Sequence, residues 1–227
     1  MSTSVSVNLA QVRKRIELAC LSAERPANAV HLLAVSKTMP AQAVREAYAA
    51  GQVAFGENYI QEGVDKIASL TDLPLEWHCI GPIQSNKSKL VAENFAWVHS
   101  IDRLKIAERL SAQRPVNLPP LQVCLQVNVD GGSNKSGVTP SELLALAQAV
   151  AKLPNLQLRG IMTIPEPAEN EAAARAVHHQ AKDLFDSLQA AGLSVDTLSM
   201  GMTGDLEAAI AEGSTCVRVG TAIFGQR

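Results

Sequence analysis

His31-Leu32-Leu33-Ala34-Val35-Ser36, followed by Lys37-Thr38-Met39-Pro40 and the Ala-rich stretch Ala41 to Ala50, is the segment that decides the fold. A short apolar run without polar alternation is the pattern of a parallel strand buried on both faces. Pro40 suits the first turn of the helix that follows, where a missing N–H costs nothing. One strand–helix unit is complete. Ahead of it, from about Val7 to Glu24, Leu9, Val12, Ile16 and Ala19/Cys20 recur at helical spacing, and Arg25-Pro26 ends the pattern. An extra helix therefore precedes the first strand.

Further strand-like cores follow at Val53–Phe55, Glu76–Ile80, Trp97–Ser100, Leu121–Asn128, Leu156–Ile164, Thr197–Met200 and Thr215–Val219, separated mostly by Ala-rich helical stretches. With the first they make eight. Eight alternating units favour a closed parallel (β/α)8 barrel of the TIM type over an open doubly wound sheet, whose Gly-x-Gly-x-x-Gly fingerprint is absent. The stretch from Arg114-Pro115 to Pro119-Pro120 reads as a turn, so residues 1–227 are expected to form one domain.

Hydrophobic residues make up 47% of the chain and charged residues 19%, enough for a large core and unlike a disordered chain. A formal net charge of -2 gives no global attraction to nucleic acid or an anionic membrane, which favours small-molecule partners. The first residues lack a signal pattern, and no apolar run approaches the roughly 20 residues of a membrane span. A cytoplasmic location is expected. Cys20, Cys79, Cys124 and Cys216 are scattered without a Cys-x-x-Cys pair, and read as buried structural thiols. No carboxylate stands at ligand spacing from His78, His99 or His178-His179 in a way that compels a metal site, and none is expected.

Function in such barrels gathers at the C-terminal ends of the strands. Lys37 follows the first strand, Asn58 the second, Gly81-Pro82 the third, Asp102 the fourth and Asn128 the fifth. Met162 lies near the end of the sixth, Gly201-Met202-Thr203-Gly204 follow the seventh, and Arg218-Val219-Gly220-Thr221 close the eighth. Partial desolvation at such a strand end lowers a lysine pKa and makes the neutral amine available to attack an aldehyde. Position alone equally fits a lysine reaching from the rim to solvent. The Gly and Thr residues after strands seven and eight, with a helix starting near Asp205, suit phosphate binding, although turn glycines have the same composition. Arg218, between Val217 and Val219, faces the opposite side of its strand and needs a partner if it points inward. Together these features imply a phosphorylated aldehyde or ketone held by a lysine, and an aldolase or phosphosugar enzyme fits them as well.

Several ordered motifs narrow the choice: LLAVSKTMP (32–40), FGENYIQEG (55–63), WHCIGPIQSNKSK (77–89), SIDR (100–103), SNKSG (133–137), LSMGMTGDLEAAI (198–210) and VRVGTAIFG (217–225). Over nearly its whole length the chain resembles the pyridoxal 5'-phosphate (PLP) binding proteins of the YggS/PROSC type, the PLP homeostasis family of vitamin B6 metabolism. The resemblance implies a barrel akin to the N-terminal domain of alanine racemase. It implies that Lys37 holds PLP as a Schiff base, the internal aldimine, and that Arg218 faces the pyridine nitrogen. Met202, Thr203, Gly220 and Thr221 match phosphate-contacting positions, and Asn58, Ile80, Ser199 and Met200 match the wall beside the ring. Relatives commonly read Gly-Met-Ser-x-Asp after strand seven; Thr203 keeps the hydroxyl of that serine. The chain stops at Phe224-Gly225-Gln226-Arg227, short of relatives with a longer tail, and a tail-dependent role is not expected.

The same resemblance implies a binding protein that keeps PLP bound and passes it to PLP-dependent apoenzymes, expected as a monomer. The alternative is a PLP-dependent amino-acid racemase or related enzyme of low activity; a racemase needs a second acid or base opposite the lysine. Tyr48 reads as helix packing, which leaves Tyr59 near the mouth. An arginine at the pyridine nitrogen keeps that nitrogen unprotonated and weakens the ring as an electron sink, which favours the carrier. Lys87, Lys89 and Lys135, in or beside the repeated Ser-Asn-Lys-Ser, are candidates for secondary PLP binding or partner docking.

Overall fold

The structure is a computed structural model that describes residues 4–131 and 136–225. Eight strands, β1 (His31–Val35), β2 (Ala54–Glu57), β3 (Glu76–Cys79), β4 (Trp97–Ile101), β5 (Leu121–Gln126), β6 (Leu156–Met162), β7 (Thr197–Ser199) and β8 (Cys216–Val219), form a closed barrel in sequence order. All neighbours are parallel, and β8 closes on β1 with His31 opposite Cys216 and Ala34 opposite Val219. The expected (β/α)8 fold is the observed one.

Helix α1 (Val5–Ser22) precedes the barrel. Its buried Leu9, Val12, Ile16 and Cys20 recur every three or four residues, so one stripe faces the core. The periodicity carries it to Glu24, but Glu24 takes φ 55 and the helix ends at Ser22. Around the barrel run α2 (Ala41–Ala49), α3 (Ile60–Ser69), α4 (Ser88–Asn94), α5 (Leu104–Gln113), α6 (Leu143–Val150), α7 (Glu171–Ala190) and α8 (Leu206–Ala211), with the short α9 (Thr221–Phe224) after β8. α1 packs on α8, α9 and α2 and so covers the seam where the barrel closes.

The apolar core has two parts, and the period-two alternation of strands separates them. Along β1, Leu32 and Ala34 join the shell between sheet and helices, whereas Leu33 and Val35 meet Ala54, Ile80 and Cys216 inside the barrel. The inner cluster is small because much of the interior is polar. Cys20, Cys79, Cys124 and Cys216 are all buried and free, as expected of structural thiols. Burial pushes the Cys79 thiol up to about 12 and Cys216 up to about 11, so neither is a nucleophile at neutral pH. No helix among the described residues is long and apolar enough to cross a membrane.

Candidate cofactor site

Lys37 lies two residues past the end of β1, half-buried, in period-two step with the inward-facing Leu33 and Val35. The turn after it is tight: Met39 N–H donates to Ser36 O at 3.0 Å, and Thr38 sits at φ 63. A β-branched residue in the left-handed region costs about 1–3 kcal/mol, so neighbouring structure must hold it. That structure is a buried ion cluster. Lys66 Nζ, from α3, donates to Ser36 O at 2.8 Å and to Glu57 Oε1 at 2.6 Å, and Glu62 Oε1 accepts from the Thr38 N–H at 2.5 Å. Ser36 Oγ donates to the same Glu57 oxygen at 2.6 Å. Burial pushes the Glu57 carboxyl up from its ordinary value, against the pull of Lys66 and Ser36. Three side chains from β2 and α3 thus fix the backbone on both sides of Lys37.

Asn58 follows β2, and Ile80 follows β3. Gly81 lets the two loops touch, because a Cβ there would stand 2.0 Å from Asn58 O. Ile80 is buried inside the barrel against Leu33 and Cys216. Ser199 is buried and points inward, its Oγ bonded to His99 and Arg218. Met200 was expected beside the ring with Ser199; its side chain instead packs in the shell, since the next residue along a strand faces the other way.

The turn after β7 opens at Gly201, φ +95, where a Cβ would meet the Ala209 Cβ at 2.6 Å. Met202 reaches this mouth, but its N–H is already taken by Asp205 Oδ1 at 2.7 Å, which removes it as a backbone phosphate donor. Among the described residues the N–H groups of Thr203 and Gly204 donate to no acceptor. Burial alone would raise the Asp205 carboxyl, yet bonds from His178 and the Met202 N–H hold it below its ordinary value. Arg15 of α1 donates to Thr203 O at 3.1 Å and to both Glu207 oxygens, clamping the turn from outside. Gly220 and Thr221 start α9 on the adjacent strand, where the first N–H groups have no partner within the helix.

Arg218 points into the barrel and is 4% exposed. Nη1 donates to Ser199 Oγ and Nη2 to Thr163 O, both at 2.8 Å. Burial lowers its pKa, but a guanidinium stays charged. Among the described residues no carboxylate comes within ion-pair distance of it, and the buried Thr163 Oγ1 beside it has no partner. Among the described residues, two of its five N–H donors are used.

These groups fit PLP. Amide donors and a hydroxyl at paired turns suit a phosphate, a fixed lysine suits an aldehyde, and a buried cation lacking a counter-ion suits a ring nitrogen acceptor. Sequence reasoning brought Lys37, Asn58, Ile80, Ser199, Thr203, Arg218, Gly220 and Thr221 to one mouth. It missed the supports Glu57, Glu62, Lys66, Asp205 and His178, whose only signal is polar residues in otherwise apolar elements. Tyr59, 56% exposed, caps α3 at this end, while Tyr48 is half-buried on α2 as expected of packing. Lys87 ends a 3-10 turn and Lys89 reaches Glu93 at only 3.7 Å; Lys135 lies outside the described residues.

Comparison with known proteins bears on this arrangement. A family model described as the alanine racemase N-terminal domain matches residues 7–227. The pyridoxal phosphate homeostasis protein of Pseudomonas aeruginosa is 60% identical over 227 residues, which cover all of this chain and 97% of the relative. The chain belongs to the pyridoxal phosphate homeostasis family. The family member of Escherichia coli K12 is 54% identical over 226 residues, 97% of its length. PipY of Synechococcus elongatus PCC7942, solved with PLP bound, is a structural match within the family at TM-score 0.84 and 40% identity, over 98% of this chain and all of that one. An alanine racemase from Clostridium difficile 630 shares the fold, with TM-score 0.75 at 12% identity, and this chain spans 56% of it.

Proposed function

We propose that this protein binds PLP at the C-terminal mouth of its barrel, serves intracellular PLP homeostasis, and delivers the cofactor to PLP-dependent apoenzymes. The observation that carries this reading is the joint presence of Lys37, the turns at 201–204 and 220–221, and buried Arg218, which meets no carboxylate among the described residues, around one mouth. PipY, solved with PLP, supports it. When bound, PLP supplies an aldehyde that a lysine amine captures and a ring that can accept electrons. Lys37 is the residue that holds it covalently. Thr203, Gly204 and Thr221 bind the phosphate, Asn58 and Ile80 wall the ring, and Arg218 directs an N–H at the ring nitrogen. A donor cation there keeps that nitrogen from taking a proton, and so holds the ring in its poorer electron-accepting form. We therefore read the protein as a carrier without robust turnover, acting as a monomer in the cytoplasm.

Visible absorbance of the purified protein, bleached by borohydride with the reduced adduct mapped to Lys37, is the expected result. A colourless protein that borohydride leaves unmodified ends the PLP reading. Tyr59, exposed at the same mouth, is the one observation that favours a racemase. Incubation with single L-amino acids decides: robust formation of D-isomer, amine or keto acid overturns the carrier reading.

A further inference from the structure

Barrels of this kind are usually filled by layers of branched aliphatic side chains. Here a polar column runs through the interior. Glu76 Oε1 lies 2.8 Å from His78 Nε2, and His78 Nδ1 lies 2.9 Å from His99 Nε2. His99 Nδ1 lies 2.9 Å from Ser199 Oγ, which accepts from Arg218 Nη1 at 2.8 Å. The column joins β3, β4, β7 and β8 and connects the two ends of the barrel. At its lower end Glu76, with 48% of its side chain exposed, borders a cavity of about 960 Å³ at the N-terminal mouth.

The proton positions follow from the chemistry of each group. Glu76 as a carboxylate only accepts, so His78 carries its proton on Nε2. A neutral His78 then accepts at Nδ1, so His99 donates from Nε2. A neutral His99 accepts at Nδ1, so Ser199 donates its hydroxyl proton downward and leaves its oxygen to Arg218. Burial keeps both imidazoles neutral by lowering their pKa, His99 the more strongly. Every donor points the same way, from the guanidinium to the carboxylate. The acid that balances buried Arg218 through hydrogen bonds is thus Glu76, at the opposite mouth.

We propose that Glu76, His78 and His99 are positioning residues for the cofactor site, setting the Ser199 hydroxyl and through it the aim of Arg218. The proposal rests on the PLP reading of the C-terminal mouth. It also makes the hold on PLP sensitive to protonation at the N-terminal mouth. One extra proton on the histidine pair turns His99 Nδ1 into a donor; Ser199 Oγ then receives two donors, its own proton loses its acceptor, and Arg218 faces a like charge. The groups around the pair are Glu76 on β3, His31 on β1, Arg159 on β6, Asp196 before β7 and Arg218 on β8, with the neutral thiol of Cys216. Asp196 is held by Arg159 at 2.6 Å, so Glu76 is the acid that answers the column.

The test compares holo wild type with E76Q, H99N and H99L, reading PLP retention by equilibrium dialysis and the visible absorbance maximum from pH 5 to 9, with the apoprotein Tm alongside. Asn at 99 can still accept from Ser199, whereas Leu cannot. The expected result is about tenfold weaker retention and a displaced absorbance maximum for H99L, most of both restored in H99N, and about threefold weaker retention for E76Q. Wild-type retention should hold through the ordinary imidazole range and fall only at lower pH, where the buried pair takes up a proton, and the H99L profile should be flatter there. Equal spectra and equal pH profiles in all four proteins overturn the proposal. So does an H99N as impaired as H99L, which marks a packing role alone. E76Q alters a half-exposed group, so it remains informative if H99L does not fold. Failure of wild type to take up PLP at all instead overturns the reading of the C-terminal mouth.

Discussion

The two mouths of this barrel both carry polar groups but differ in how many donors they leave unspent. At the N-terminal mouth charges are paired with one another: Arg159 binds Asp196 through two nitrogens and lies 4.8 Å over the Trp97 ring, Trp97 stacks on His78, and His78 meets Glu76. Arg13 is likewise spent on Ala50 O and Gln52. At the C-terminal mouth, among the described residues, the Thr203 and Gly204 amides donate to no acceptor and no carboxylate lies within ion-pair distance of the buried Arg218. A saturated cavity is structural, whereas unspent donors around a concave mouth await a ligand. Volume alone does not mark the binding site, since the cavity of about 960 Å³ at the N-terminal mouth is lined by such paired charges.

The largest effect expected from this contrast is at Lys37. Lys37→Ala should abolish the borohydride-fixed adduct completely while leaving the Tm of the apoprotein nearly unchanged, read by mass spectrometry and thermal melting. An adduct that persists on another lysine breaks the assignment. Next comes Arg218→Leu, which removes a buried charge that no carboxylate among the described residues touches directly. Retention of PLP should fall about a hundredfold, as loss of a charge-assisted bond of about 1.5–3 kcal/mol allows, with little loss of apoprotein stability because an apolar isostere in such a place is often neutral. A large loss of stability with unchanged retention would show that Arg218 is spent on the fold, like Arg159.

Much of this contrast was legible in the sequence, and the remainder was hidden for a physical reason. Strand ends are visible as apolar runs that stop, so Lys37, Asn58, Thr203 and Gly220 could be assigned to one mouth. Sidedness within a strand end is less visible, and Met200 went to the shell where the ring wall was expected. The supports were invisible because they act across the sequence: Lys66 reaches Ser36 thirty residues away, and His99 reaches Ser199 a hundred away. In sequence His78 and His99 are two scattered histidines; pairing of β3 with β4 makes them neighbours, and the closed barrel brings His99 to Ser199. The Met202 amide, spent on Asp205, shows the same limit, since a motif gives the residue but not whether its donor is already used.

Gly81→Ala probes the close approach that brings Asn58 to the site. With a methyl group 2.0 Å from a backbone oxygen, the loops must part, at a cost of about 1–3 kcal/mol in urea unfolding and with weaker PLP retention. Retained stability would mean that the contact is readily relaxed. A smaller effect, spread over pH, belongs to the polar column. His78 and His99 have folded pKa values below those of the unfolded chain, so between the two values the unfolded state binds more protons. Stability is therefore full above about pH 6.5 and falls as the pH drops below it, by up to about 1.4 kcal/mol per pH unit for each group that stays neutral. Urea titrations of the apoprotein between pH 7 and 5 measure the slope, and His99→Leu should lessen it; a slope that the substitution leaves unchanged would assign the acid sensitivity elsewhere.

The smallest effect should come from the saturated mouth itself. Asp196 is 61% exposed and keeps two bonds from Arg159, with burial raising its carboxyl pKa and those bonds, with one from Thr197, lowering it to a net value below the ordinary one. An ion pair so open to solvent is worth about 1 kcal/mol or less after screening. Asp196→Asn keeps a hydrogen-bond acceptor for Arg159 and should change the urea midpoint only slightly, with PLP retention and absorbance as in wild type. Its contribution is present above the unfolded carboxylate range near pH 4 and is lost as the pH falls through the lowered folded pKa, so any difference from wild type should vanish in strong acid. The comparison between mouths is sharpest here, because Glu76 lies in the same cavity and differs from Asp196 only in what it touches. If Asp196→Asn weakened PLP retention as much as Glu76→Gln, the coupling between mouths would be a general field of the cavity; if only Glu76→Gln does, it runs through the hydrogen-bonded column.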